Sequence, residues 1–160
     1  MESETNENSI DDIDRQLLSI VQKNALISTE NMAMQVGLTA TSAKRRLNKL
    51  RRNGTISKDV SIVDPKKLGY EIFTLVSVNL ERDQQDIMQS FRMEIKNNPR
   101  IMQGFYTTGD ADFILLVASK TLSDYEAFTQ TYFWNNHNIK SFKTMVVMDC
   151  VKIGFELPMI

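Results

Sequence analysis

The stretch from Gly37 to Gly54, GLTATSAKRRLNKLRRNG, sets the tightest limits on what this chain can fold into. From Thr39 to Lys58 it carries Lys44, Arg45, Arg46, Lys49, Arg51, Arg52 and Lys58 and no acidic residue, in a chain of net charge -1. A near-neutral protein that gathers its positive charge into one short segment has the footprint of a polyanion-binding element. The segment also has the marks of a two-faced helix. Thr39 can cap its start and Gly54 can take the left-handed turn that ends it. At about 100° per residue, Ala43, Leu47 and Leu50 share one stripe, with Thr41, Ser42, Arg45, Asn48, Lys49 and Arg52 on the other side.

A charge run alone is more often a solvated face, so the element before it decides. Ser28 or Thr29 can start a short helix with Met32, Ala33 and Val36 inward, and Gly37-Leu38 gives a break before Thr39. Two short helices joined by a few residues including Gly, the second one basic, form a helix-turn-helix pattern. Such a unit puts the N-terminal part of its second helix into the DNA major groove. Thr41, Ser42 and Arg45 then face base edges, Arg being able to pair bidentately with guanine. Arg46, Lys49, Arg51 and Arg52 suit phosphates, which hold register but carry no sequence information. Thr39, Lys44 and Asn48 complete the expected DNA-binding set.

The whole chain, 160 residues with 42% apolar content, suits one large or two small domains. Met1–Ser9 is polar and acidic, lacks the features of a signal peptide, and reads as a mobile tail. No run of about 18 apolar residues exists, so no membrane span is expected. A single cysteine, Cys150, cannot close an intramolecular disulfide, which fits a reducing cytoplasm. One histidine, His137, and one cysteine give a His/Cys metal site little to build on; no metal, cofactor or catalytic residue is expected.

Ile10–Lys23 forms the first helix by its periodic Ile10, Ile13, Leu17, Ile20 and Val21, with Asp11, Asp12 and Asp14 where the helix dipole favours acids. After Gly54, short extended runs at 55–57 and 60–63 flank Lys58-Asp59, the size of a wing. Residues 10–63 are thus expected to form a winged helix-turn-helix, 64–70 a hinge, and 71–160 a second domain. There, strand 71–80 puts Ile72, Thr74, Val76, Val78 and Leu80 on one face. A helix Gln84–Lys96, a strand 101–107, a turn at 108–111 and an apolar, central strand 112–119 follow. Thr121 caps a second helix with Leu122, Tyr125, Phe128 and Tyr132 inward, and a long strand 139–153 ends the domain. The order βαββαβ is a ferredoxin-like split unit, so the fold class is α+β. Its two helices leave one sheet face open, which pairing with a second subunit covers. The nine methionines read as gap-filling core residues, Trp134 as packing or a subunit contact, His137 as a turn residue and Cys150 as a small hydrophobe on the last strand.

In this order the motifs resemble the Lrp/AsnC family of bacterial and archaeal transcription regulators from about Ile10 to Pro158. The resemblance rests on Asp11-x-x-Asp14-x-x-Leu17-Leu18, Val36-Gly37-Leu38-Thr39 and Arg46-x-x-Lys49-Leu50-x-x-x-Gly54-x-Ile56. Asp64-Pro65-x-Lys67-Leu68-Gly69, Thr108-Gly109-x-x-Asp112-Phe113 and Thr144-x-Val146-Val147-Met148-x-x-Val151-Lys152 complete it. It implies an N-terminal DNA-binding domain, a C-terminal domain that makes homodimers through its sheet, and further assembly to octamers or related rings. It also implies an effector, commonly an amino acid, bound at a dimer–dimer contact near Gly109, Asp110, Ala111 and Asp112. Backbone N–H groups in such a turn suit a carboxylate and Asp112 an ammonium, while the plain alternative is that Gly109 and Asp112 only shape a tight hairpin. Two positions depart from the family: Ala111 stands where an aromatic is usual, and Phe142-x-Thr144 replaces Thr-x-Thr. Such a site takes a larger apolar amino acid or is empty.

Three function classes follow: a sequence-specific regulator that answers to a small molecule, an architectural protein that bridges DNA with little sequence preference, and an enzyme. No nucleophile–base pair, metal cluster or phosphate loop supports the third.

Overall fold

The computed structural model describes residues 9–81 and 85–159; most of the expected N-terminal tail and the expected helix start at Gln84 lie outside them. The chain divides into two compact units, one running to Ile62 and including the segment from Lys152 onward, the other Val63–Val151.

The first unit is built on three helices: α1 (Asp12–Lys23), α2 (Thr29–Gln35) and α3 (Ala40–Arg52). Each starts on a side-chain cap. Asp11 and Asp14 form a reciprocal capping box on α1, Ser28 accepts the Asn31 N–H, and Thr39 accepts the Ser42 N–H. Gly37, at φ +68°, lets the chain reverse out of α2 while Leu38 N–H donates back to Ala33 O at 2.9 Å. The core is the stripe expected for α3, with Ala43, Leu47 and Leu50 buried; Ala43 and Leu47 pack with Leu17, Val21, Met32 and Ala33.

Two expectations about this unit change. The short strands at 55–57 and 60–63 do not form, and Val60, Ile62 and Val63 are exposed. A lone two-stranded hairpin is marginal in water, and Asp59 is drawn instead onto Arg51 of α3 by two hydrogen bonds at 3.0 and 3.3 Å. The C-terminal segment, expected in the second domain, belongs to the first unit. There the Gln22 side chain clasps the Leu157 backbone, donating to its oxygen at 3.2 Å and accepting its N–H at 2.7 Å.

The second unit holds β1 (Ile72–Leu80), α4 (Gln85–Asn97), β2 (Ile101–Tyr106), β3 (Phe113–Ser119), α5 (Leu122–Thr129) and β4 (Ile139–Val146). The four strands form one antiparallel sheet in the order β2-β3-β1-β4, the ferredoxin-like arrangement, with the apolar β3 interior as expected. Alternation decides the faces. Thr74, Val76, Val78 and Leu80 of β1 and Phe113, Leu115 and Val117 of β3 are buried under the helices, where Phe91 of α4 meets Phe113 edge to face at 5.1 Å. Phe105 and Met145, whose register partners are Ile114 and Leu75, lie on the other face and are about half exposed.

The last strand is shorter than expected. As an edge strand, β4 has β1 as its neighbour, and β1 begins at Ile72; pairing ends at Thr74↔Val146 plus one bond from Val147 N–H to Phe73 O. Cys150 therefore lies beyond the sheet and is exposed. After α5 the helix widens into a π turn over Gln130–Trp134. The wider turn shifts the inward position, so Phe133 is buried while Tyr132 is only partly so. Leu122, expected inward, is exposed.

Candidate nucleic-acid interface

Helix α3 presents Thr41, Lys44, Arg45, Asn48, Lys49 and Arg52 to solvent. Thr41, Lys44, Arg45, Asn48, Arg51 and Arg52 line a shallow groove of about 530 Å³ along it. Four cations meet at this surface within three helical turns, and among the described residues none of Lys44, Arg45 or Arg52 enters an ion pair. Thr39 is at the N-terminal edge of the same face, but its hydroxyl is committed: it donates to Ser42 Oγ at 3.0 Å and accepts the Ser42 N–H at 3.3 Å. Ser42 is correspondingly half-buried.

Arg46 is placed differently from the expected phosphate contact. Its Nη1 donates to Asp11 Oδ2 at 2.6 Å and to Asp14 Oδ1 at 2.9 Å. Asp14 is 5% exposed. The Asp14 N–H, and after it Arg46, hold the Asp11 carboxyl below its ordinary value, and the two carboxylates raise the Arg46 pKa. Arg51, facing Asp59, is also paired. Asp11, Asp14 and Asp59 thus hold two of the basic residues of α3, a role beyond that of dipole partners or a charged turn. The Asp-x-x-Asp spacing is itself a capping-box signal; its pairing with Arg46, 32 positions on, has no local signal.

In the second unit, the hairpin between β2 and β3 carries Gly109 at φ +126° and exposes Gly109 and Asp110. Thr107 Oγ1 donates to Ala111 O at 2.6 Å and closes the turn. Asp112 is built into the sheet: its Oδ2 accepts the Leu80 N–H at 2.8 Å, and its own N–H donates to Val78 O and to Asn79 Oδ1. Phe142 and Thr144 sit on β4, across β1 from β3, so two strand spacings, roughly 10 Å, separate them from the Asp112 strand. Phe142 stacks on Phe133 at 4.8 Å, and the Thr144 and Tyr125 hydroxyls share a 2.6 Å hydrogen bond. One chain therefore does not bring the hairpin and the 142/144 pair into one pocket. A groove of about 460 Å³ that no sequence motif marks lies between α4 and β2 beside Arg92, Lys96, Gly104 and Tyr106.

A helix-turn-helix unit with a basic outward face, joined to a ferredoxin-like unit, defines the class: a DNA-binding transcription regulator with a separate ligand-binding domain. Residues 10–51 match the AsnC-type helix-turn-helix domain, and residues 74–157 the Lrp/AsnC ligand binding domain. The chain belongs to the Lrp/AsnC family. It is 49% identical to the HTH-type transcriptional regulator y4tD of Sinorhizobium fredii over 93% of this chain and 88% of that protein. The crystal structure of an AsnC family transcriptional regulator from Agrobacterium tumefaciens superposes with a TM-score of 0.87 at 26% identity, over 92% of this chain and 96% of that one. NMB0573 of Neisseria meningitidis, solved as an L-Met complex, shares the fold with a TM-score of 0.89 at 19% identity, over 94% and 97% of the two chains.

Proposed function

We propose that this chain is a sequence-specific regulator that binds double-stranded DNA as a homodimer, in dimers that assemble further toward an octamer, and that an amino acid modulates it in the control of amino acid metabolism. The observation that carries the reading is the outward face of α3. Thr41, Arg45 and Asn48 offer hydroxyl, guanidinium and amide groups to base edges, and Lys44, Lys49 and Arg52 offer charge to phosphates. Amino acids are the ligand class to test because a protein of this fold was solved with L-Met. In this proposal the exposed backbone around Gly109, Asp110 and Ala111 takes the ligand carboxylate. Phe142 and Thr144 join that site only where a second chain brings its β4 to the hairpin.

Selection from random duplex DNA tests the reading, followed by binding measurements with single amino acids added. The expected product is an inverted repeat whose half-site centres lie about one helical turn, roughly 34 Å, or a multiple apart. At least one amino acid should then shift affinity or assembly size. Recovery of duplexes with no shared sequence would favour the architectural class and overturn the regulator reading.

A further inference from the structure

Around α3, Arg46 lies at the flank of the buried stripe. Taking about 100° per residue, it is only roughly 65° from the centre of Ala43, Leu47 and Leu50, whereas Thr41, Arg45 and Arg52 are nearly opposite that centre. Its guanidinium, partly exposed, reaches α1: one nitrogen, Nη1, is shared between Asp11 Oδ2 and Asp14 Oδ1. Those two carboxylates are not loose surface acids. Asp11 caps α1 by accepting the Asp14 N–H at 2.8 Å, and Asp14 faces the Asp11 N–H at 3.4 Å. The capped first turn of α1 is therefore clasped to the middle of α3.

For Nη1 to turn to a phosphate it would have to release both acids, and while it holds them it fixes the plane in which the rest of the guanidinium lies. On release Asp14, 5% exposed, would be a buried carboxylate without its cation, which is strongly unfavourable. The other α1–α3 contacts, such as Leu17 and Val21 with Ala43 and Leu47, are apolar and non-directional. They set which face of α3 turns inward, but they carry no directional bond that fixes its angle finely. The shared guanidinium is directional and sits off the stripe, where it opposes small rotations of α3 about its own axis.

We infer that Arg46 is a positioning residue: the Asp11–Arg46–Asp14 clasp sets the angle at which α3 offers Arg45 and Thr41 to base edges, and Arg46 itself contacts no phosphate. The inference rests on the reading of α3 as the DNA-reading helix. It assigns sequence discrimination partly to two acids that face away from DNA.

The test compares wild type, Arg46→Ala, Arg46→Lys, Asp14→Asn and Lys49→Ala in the full chain. Each is titrated with salt on the selected inverted repeat and on a scrambled duplex, well below the unfolding temperature. Arg46→Ala should lower the ratio of specific to non-specific affinity about tenfold, the size of a mis-set base contact, and leave the slope of log K against log salt unchanged. Asp14→Asn should also lower that ratio, although removing an acid would by charge alone strengthen binding to both duplexes. Arg46→Lys, which stays folded through its retained charge, should recover part of the ratio. Lys49→Ala should reduce the slope by about 2 per dimer and weaken both duplexes alike. If Arg46→Ala reduces the slope as Lys49→Ala does, Arg46 is a phosphate contact and the inference is overturned. An unchanged ratio in Asp14→Asn, with both duplexes bound equally more tightly, would overturn it too. If Lys49→Ala leaves slope and affinity untouched, the reading of α3 itself has failed, and the clasp inference with it.

Discussion

The carboxylate of Asp112 accepts the backbone N–H of Leu80 at 2.8 Å, tying the β2–β3 hairpin to the end of β1. The side chain that the family resemblance offers to a ligand ammonium thus carries a structural bond in the chain by itself. Asp112→Ala should therefore cost stability, about 1–3 kcal/mol for a charged acceptor lost from the N–H of buried Leu80, read as a lower urea midpoint. Asp112→Asn keeps an acceptor oxygen and should cost less. An unchanged midpoint in Asp112→Ala would mean that the carboxylate is available to a ligand.

The clasp on α1 gives the DNA-binding unit an acid limit. The folded-state pKa of Asp11 is lowered from 3.8, first by the Asp14 N–H and then by Arg46. A lowered carboxylate contributes stability that is fully present above 3.8 and is lost as pH falls through the lowered value. Urea midpoints measured between about pH 2 and 6 should fall at the acid end, and Asp11→Asn, which can still cap the helix, should flatten that fall. An identical acid profile in Asp11→Asn would place the titrating group elsewhere.

Gly104 lies where β2 passes under α4. A Cβ built there would stand 2.6 Å from Ile95 Cγ2 and 3.3 Å from Leu115 Cδ2. The Ile95 methyl is on a β-branched carbon and cannot swing away cheaply. Gly104→Ala should destabilise the chain by about 1–3 kcal/mol, and Ile95→Leu, which removes that methyl, should restore part of the loss in the double variant. A neutral Gly104→Ala would show that α4 is free to lift from the sheet.

Much of this architecture is legible in the sequence because it is set by short-range pattern. The Ala43, Leu47 and Leu50 stripe, the caps at Ser28, Thr39 and Thr121 and the alternation of Val76, Val78 and Leu80 need only local periodicity and cap chemistry. What escapes is decided at a distance. Arg46 looks like its neighbours on a basic helix until Asp11 and Asp14 come beside it. The end of β4 depends on where β1 begins, and the burial of Phe133 on a π turn that no residue pattern announces. The family resemblance groups Phe142 and Thr144 with the hairpin; the register puts β1 between them and β3.

The sheet face turned away from α4 and α5 carries Phe105 and Met145 at 52% and 53% exposure, with Leu75, Ile114 and Leu116 beside them partly covered. An apolar face of this kind is expected to pair with a second copy. Light scattering of the full chain at micromolar concentration should give a dimer or larger, and Phe105→Glu or Met145→Lys should move it toward the monomer. A monomeric wild type would remove the two-helix geometry on which palindromic recognition depends.

Arg46 and Arg51 are held by carboxylates, while Lys44, Arg45, Lys49 and Arg52 are exposed, and the proposal assigns these four to DNA. If each subunit neutralises three or four phosphates, a dimer releases about six to eight counterions, and the slope of log K against log salt is roughly -5 to -7. A salt titration of the wild-type protein on one inverted repeat, with the half-site spacing varied, measures this directly. A slope in that range, with affinity peaking at spacings of whole helical turns, is the predicted result. A slope near -2, or affinity indifferent to spacing, would contradict it.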